Sequence, residues 1–358
     1  MAALKAAYVS DLPHLDMVPE NTIYSARFPP QGWSSSFRAP KFLVIGHRGN
    51  GMNLLQSSDP RMKAFKENSI LSFNAAAQFP IDFIEFDVQV TKDDWAVIFH
   101  DNFILTTDAQ ESIVEKRLTE LCLSEFLEYG PQRNPTQLGK SLLRKTKDGK
   151  IFNWNVEVDH PACTLQEAFQ QVKPTTIGFN IELKFDDHIL YQHEYLVHFI
   201  QIVLQVVFEH ANDRPIIFST FQPDAALLIR KMQNKYPVFF LTNAGGEIFE
   251  DSRRNSLEAA INLCLEGGLQ GIVSEAKGLF RNPGAVPKIK EAKLALLTYG
   301  KLNNVPEAVY MQHLFGVEGV IVDLVKEITE AVHSMIKPQF SEREISFLLK
   351  LIPELIQQ

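Results

Sequence analysis

Cysteine is scarce in this chain of 358 residues. Cys122, Cys163 and Cys264 are odd in number, far apart and without zinc spacing. That excludes a disulfide framework and predicts free thiols in a reducing compartment. Excess positive charge is also missing. Thirty-five Lys and Arg against 43 Asp and Glu give a net charge of −8, which excludes broad nucleic-acid binding. No apolar run is long enough to span a bilayer. The longest candidate, residues 195–208, is broken by His198, Gln201 and Gln205. Its Leu196, Phe199, Ile200, Val203 and Val207 follow helical spacing and predict a buried helix face. No signal peptide opens the chain, and Asp11, Asp16 and Glu20 do not suit an acidic-poor transit peptide. The expected location is therefore the cytoplasm. No glycine-rich dinucleotide fingerprint follows the first apolar run, which weakens an open doubly wound sheet.

What the chain does have is charge concentrated in residues 81–101, IDFIEFDVQVTKDDWAVIFHD. Side chains alternate along a strand, so Glu85 and Asp87 share one face while Ile84, Phe86 and Val88 take the other. On a strand buried on both sides, two carboxylates are costly unless a cation meets them. Taken alone, the spacing equally suits a half-exposed strand with solvated acids. Residues 82–91 and 95–100 read as two strands with only about 92–94 between them. A parallel crossover needs a dozen or more residues, so this pair must be antiparallel. The return strand then brings His100 and Asp101 back toward Glu85 and Asp87.

The rest alternates strand and helix. Residues 41–49, KFLVIGHRG, suit a central parallel strand running into a polar tip. Asn68 or Ser69 caps a helix with Leu71, Ala75 and Phe79 on one face. Later strands are expected at 177–184, 215–220, 238–242, 271–274, 294–299 and 319–323. Setting aside the antiparallel run leaves eight parallel strands joined by helices. The predicted fold is α/β, a TIM (β/α)8 barrel with an extra antiparallel hairpin strand after strand 2 and an insertion. Residues 1–40 read as an N-terminal arm, 41–335 as the barrel, and 336–358 as a helical tail packed on it. Residues 101–160 are the least regular. The insertion spans about 130–160, and its basic stretch 133–150 reads as a solvated loop rather than a lid or partner contact.

Catalytic groups of such a barrel collect at the carboxyl ends of its strands. Those ends carry His47 and Arg48, then Glu85 and Asp87, then His100 and Asp101 from the hairpin. Glu182 and Lys184 follow, and further round come Ser219, Asn243, Ser274, Tyr299 and Asp323. Three carboxylates aimed into one mouth repel each other, and a divalent cation removes that conflict. Ligation by oxygen alone favours Mg²⁺ or Ca²⁺ over zinc. Arg48 offers a planar fork for phosphate oxygens, and Lys184 adds a point charge. His47 and His100 titrate near neutral pH, so one can take a proton while the other gives one. Singly, each of these has a structural explanation; together they describe phosphodiester cleavage.

At these residues the sequence resembles the glycerophosphodiester phosphodiesterase family. The matching pieces are GHRG (46–49), KENS (66–69), IEFDVQVTKD (84–93), VIFHD (97–101) and IELK (181–184), in the family's order. The similarity covers most of 41–325, and the arm and insertion look like the plant-type branch. The resemblance implies a divalent metal on Glu85, Asp87 and Glu182, His47 and His100 as acid–base pair, and Arg48 on the phosphate. Lys184, Asn68 and Tyr299 would also face substrate, with Glu67 and Asp101 accessory, although Asn68 equally suits a plain helix cap. The implied reaction converts a glycerophosphodiester and water to sn-glycerol 3-phosphate and an alcohol such as choline or ethanolamine. A lysophospholipid phosphodiesterase, needing an exposed apolar rim, and a silent phosphate-binding barrel are the alternatives. The family's Gly or Pro near the hairpin turn is replaced here by Asp94, Trp95 and Ala96, and its late Trp-Thr by Thr298, Tyr299 and Gly300. A plastid address, as in relatives, has little support in the N-terminus. Head group, preferred metal, first nucleophile and oligomeric state stay open.

Overall fold

Short apolar runs, each buried from end to end, build the frame. In this computed structural model, residue 39 and residues 41–335 are described. The expected helical tail and nearly all of the expected arm lie outside them. The chain forms β1 (Leu43–Gly46), β2 (Phe83–Val90) and β3 (Ala96–Ile98). It continues through β4 (Phe103–Thr107), β5 (Ile113–Arg117), β6 (Leu143–Lys145), β7 (Ile151–Asn153) and β8 (Cys163–Thr164). Then come β9 (Gly178–Leu183), β10 (Ile216–Thr220), β11 (Val238–Thr242), β12 (Gly271–Glu275), β13 (Ala295–Tyr299) and β14 (Gly319–Val322). Eight of these pair in parallel in the order β1-β14-β13-β12-β11-β10-β9-β2, and the β1–β2 pairing closes the ring. The expected TIM-type barrel is borne out.

Two apolar layers hold the ring. Inside, Leu43, Ile45, Phe83, Ile217, Phe239, Leu241, Val273 and Leu297 fill the barrel floor, each large side chain stabilising by roughly 1.5–3 kcal/mol relative to exposure. Gly178 is fixed by this packing, because a Cβ there would lie 2.3 Å from the Phe83 ring. Outside, the alternate residues of the strands pack against the helices. The longest helix among the described residues, His193–His210, buries Leu196, Phe199, Ile200, Val203 and Val207, as its spacing predicts. No helix among the described residues is long and apolar enough to cross a membrane.

The hairpin folds as expected. β2 and β3 are antiparallel, with Val88 opposite Ile98 and Val90 opposite Ala96. The tight turn puts Asp94 at φ 64, a left-handed position that glycine holds with less strain. Trp95 beside it is 40% exposed.

Three expectations are corrected. The helix Ile70–Ala76 is capped by Ser69, whose side chain accepts from the Ser72 N–H. It buries Ile70, Phe73 and Ala76 rather than the stripe of Leu71, Ala75 and Phe79, because the barrel wall meets it one residue round. A helix at Ala276–Arg281 follows β12 where none was expected. The irregular region is also more ordered than its sequence suggests. β5, β4, β6 and β7 form a separate antiparallel sheet over a small core of Phe99, Ile104, Leu118, Phe126, Tyr129 and Trp154. Residues 133–141 are largely exposed, as a solvated loop should be, but Leu143 is buried and Arg144 nearly so.

Candidate active site

The barrel's inward series runs in steps of two, so the apolar floor continues upward into polar residues at the carboxyl end. Leu43 and Ile45 lead to His47; Phe83 leads to Glu85 and Asp87; Gly178 leads to Asn180, Glu182 and Lys184. Asn243, Glu275, Tyr299 and Asp323 top the later strands. The polar residues of these series, except the fully buried Asp87, line one cavity of about 1170 Å³ together with Arg48, His100 and Asp101. Trp95 does not line it.

Parallel register sets Asp87 beside Glu182, and Glu85 beside Asn180. Glu85, Asp87 and Glu182 each offer an oxygen, and all three oxygens lie within 4.8 Å of one another. Oxygens this close together would be able to share one hard cation. Oε1 of Glu85 is buried without a hydrogen-bond partner, which is costly for a carboxylate oxygen unless a cation meets it. The donor set therefore fits a hard divalent ion. Burial, reinforced by Asp87, pushes the Glu85 carboxyl above its usual range, and burial also raises Glu182. Asp87 goes the other way: the cationic neighbours around it outweigh burial and hold it low. Lys184 Nζ lies 2.8 Å from Glu182 Oε1 and 3.6 Å from Asp87 Oδ1.

The turn after β1 presents Arg48. Arg48 at φ 48 and Gly49 at φ 93 reverse the chain. A Cβ on Gly49 would lie 2.4 Å from Ser72 Oγ, so only glycine fits. The Arg48 N–H donates to Glu85 Oε2 at 2.9 Å, and its Nη1 donates to Glu67 Oε1 at 2.7 Å. Arg48 Nε is 3.3 Å from Asp87 Oδ2 but outside hydrogen-bond geometry. Asn68, also left-handed at φ 55, donates from Nδ2 to Asp87 Oδ2 at 2.8 Å. Asn68 is thus a hydrogen-bond donor to the acid cluster, and the capping role belongs to Ser69. Non-glycine residues at such angles cost about 1–3 kcal/mol each and persist where surroundings over-determine them.

The two histidines sit in opposite fields. His47 Nδ1 lies 2.7 Å from Asp323 Oδ1, and its Nε2 lies 3.9 Å from Glu85. Burial opposes its charge, but Asp323 more than offsets that and raises its pKa. His100 is brought in by the β2–β3 return, where the Phe99 N–H donates to the Asp87 carbonyl at 3.0 Å. Its Nδ1 is 2.7 Å from Asp101 Oδ1. Burial first, then Arg48 and Lys184, drive its pKa well below the usual value. The ring is 31% exposed, so solvent tempers the size of that shift but not its direction.

Glu67 lies outside the acid cluster. Besides Arg48 it receives Arg144 Nη1 at 2.9 Å. Tyr299, across the ring from β9, donates its hydroxyl to Asn243 Oδ1. Asp323 and Glu275 line the cavity, and Arg144 is bonded to its lining residue Asp101, without being singled out by the motifs. Asp323 and Glu275 are signalled only by the step-of-two series on their strands, and Arg144 has no sequence signal beyond its charge.

Comparison with known proteins agrees with this geometry. Residues 47–327 match the model of the glycerophosphoryl diester phosphodiesterase family. The chain is 60% identical to glycerophosphodiester phosphodiesterase GDPD1, chloroplastic, of Arabidopsis thaliana, with 99% of each chain covered. It is 57% identical to Arabidopsis GDPD2 over 99% of this chain and 100% of that one. Among solved structures, an Oleispira antarctica phosphodiesterase in complex with the product sn-glycerol-3-phosphate shares the fold. Its TM-score is 0.57 at 20% identity, over 81% of this chain and 96% of that one. With a barrel mouth that suits phosphodiester chemistry and relatives of this identity along its whole length, the chain belongs to the glycerophosphodiester phosphodiesterase family, enzymes that hydrolyse phosphoric diesters.

Proposed function

We propose that the mouth hydrolyses small glycerophosphodiesters to sn-glycerol 3-phosphate and an alcohol such as choline or ethanolamine. Glu85, Asp87 and Glu182 would hold one divalent cation, Mg²⁺ or Ca²⁺. The observation that carries this reading is three buried carboxylates within 4.8 Å of one another, beside a cavity lined by His47, Arg48 and His100. When bound, the cation polarises a phosphoryl oxygen and offsets its charge. Arg48 Nε, buried and without a hydrogen-bond partner, is left for a phosphate oxygen, and Glu67 holds the rest of the guanidinium in place. His100, neutral in its field, takes the proton of the attacking oxygen, whether from water or from the glycerol 2-hydroxyl. His47, kept protonated by Asp323, gives a proton to the departing alcohol. Lys184 and Asn68 orient the acid cluster, and Tyr299 borders the space across from it. Among the described residues the Glu275 carboxylate, at the same far wall, makes no hydrogen bond and no ion pair within 4 Å, which suits an alcohol bearing positive charge.

A second reading has one observation in its favour. Leu190 and Ile248, on the loops after β9 and β11, are 89% and 79% exposed at the mouth end of the barrel. They could meet the acyl chain of a lysophospholipid. A coupled assay on the purified full chain separates the two. Glycerophosphocholine should release sn-glycerol 3-phosphate with Mg²⁺ or Ca²⁺ and none after EDTA. Faster turnover of lysophosphatidylcholine would favour the second reading, and no product with either metal would contradict both.

For location we keep the cytoplasm on the strength of Asp11, Asp16 and Glu20, although one similar Arabidopsis protein is named chloroplastic. A fluorescent protein carrying residues 1–40 should stay outside isolated chloroplasts. Import with cleavage would overturn the cytoplasmic reading.

A further inference from the structure

We propose that Arg144, carried in by the side sheet, is a positioning residue that fixes Asp101 and, through it, the orientation and tautomer of His100. The inference rests on the reading of His100 as a proton-transfer group. Arg144 sits on β6, held in register by Leu143 against Leu105 and Asn153. Its side chain is 11% exposed, and its guanidinium packs 4.3 Å from the Trp154 ring centroid. Nη2 donates to Asp101 Oδ1 at 2.9 Å. That same oxygen is the one 2.7 Å from His100 Nδ1. Nη1 donates to Glu67 Oε2 at 2.9 Å, while the other Glu67 oxygen accepts from Arg48 at 2.7 Å. One planar fork therefore ties the support of the phosphate-side arginine to the support of the histidine.

Asp101 follows the end of β3 on a loop and is 26% exposed. Without Arg144, His100 Nδ1 is the side-chain partner left to its carboxylate among the described residues. With Oδ1 fixed as acceptor, Nδ1 of His100 carries the proton and Nε2 is the nitrogen left for the reacting atoms. An ammonium in place of the guanidinium keeps the charge but cannot hold both carboxylates in the same geometry.

The test measures kcat and KM for glycerophosphocholine in wild type, Arg144→Lys, Asp101→Asn, the double variant and His100→Ala. Arg144→Lys should lower kcat by about 10- to 100-fold, the scale of a small misplacement of a reacting group, with KM changed less than about threefold. The double variant should lose less than the product of the two single losses, because the effect of Arg144 on His100 runs through Asp101 and only its Glu67 arm acts elsewhere. Unchanged kcat in Arg144→Lys, or losses that multiply in the double variant, would overturn the proposal. Should every Arg144 variant fail to fold, the ¹⁵N spectrum of His100 in wild type decides: the neutral ring must carry its proton on Nδ1, and a proton on Nε2 overturns the proposal. His100→Ala keeps the two levels apart. If it retains full kcat, the acid–base reading fails. If it collapses while Arg144→Lys and Asp101→Asn do not, only the role of Arg144 fails.

Discussion

Alanine at His100 or at His47 should lower kcat by about 10²- to 10⁴-fold, the usual range for a general acid or base. The two losses should differ in their pH signature. His100 must be neutral to accept a proton, and its pKa is held below the ordinary value, so activity should persist below pH 6.5. His47 must be protonated to donate, and its pKa is raised, so activity should also persist above pH 6.5. The profile of kcat/KM is then a plateau that spans pH 6.5, with His100 setting the acid limb and His47 the alkaline one. Asp323→Asn removes the charge that supports protonated His47 and should move the alkaline limb to lower pH. The acid limb should stay in place, since burial, Arg48 and Lys184 dominate the shift of His100 and Asp323 is bonded to His47 instead. Full kcat in both alanine variants, or an acid limb that moves in Asp323→Asn, would refute these assignments.

The second large effect belongs to the acid cluster. Glu182→Gln should lower kcat by about 10²- to 10⁴-fold, as expected when several kcal/mol of charge stabilisation is lost at about 1.36 kcal/mol per tenfold. The same change should stabilise the metal-free protein. Burial and neighbouring negative charge raise the carboxyls of Glu85 and Glu182 above their unfolded values. A carboxyl raised on folding binds its proton more tightly in the folded state, so stability falls as pH climbs from the ordinary carboxylate range to the raised value. In EDTA the wild type should therefore melt lower at pH 7.5 than at pH 5.5, and Glu182→Gln should show a smaller difference. Asp87 contributes nothing to that window, because it is held low and titrates below it. With cation at about a hundred times Kd, wild type should gain about 2.7 kcal/mol, and Glu182→Gln should gain much less. Equal metal-induced stabilisation of both proteins, read by thermal melts, would remove Glu182 from the ligand set.

The barrel is legible in the sequence because each strand is short, apolar and separated from the next by a helix, most of them with a capping side chain or an N-terminal proline. The acid cluster is legible because the strand period places Glu85, Asp87 and Glu182 on the inner face whatever the details of packing. The side sheet is not. β6 and β7 have three residues each, and β5 is mostly exposed, so no alternation marks them. Arg144 reads as one more basic residue of a loop because its partners Asp101 and Glu67 are 43 and 77 positions away. The division of labour between the histidines is equally hidden. It depends on Asp323, 276 positions from His47, and no local pattern carries that pairing. Asn68 and Ser69 were indistinguishable as caps by type, and only the backbone at φ 55 turns Asn68 away from the helix toward Asp87.

The claim at the centre of this account is that Glu85, Asp87 and Glu182 hold a single cation in the mouth that carries His47 and His100. Anomalous diffraction from crystals of the active protein grown with Mn²⁺ tests it most directly. The account predicts one strong peak within about 2.0–2.6 Å of an oxygen from each of the three carboxylates. A peak elsewhere in the mouth, or none at this cluster in crystals whose dissolved protein is active, would contradict it.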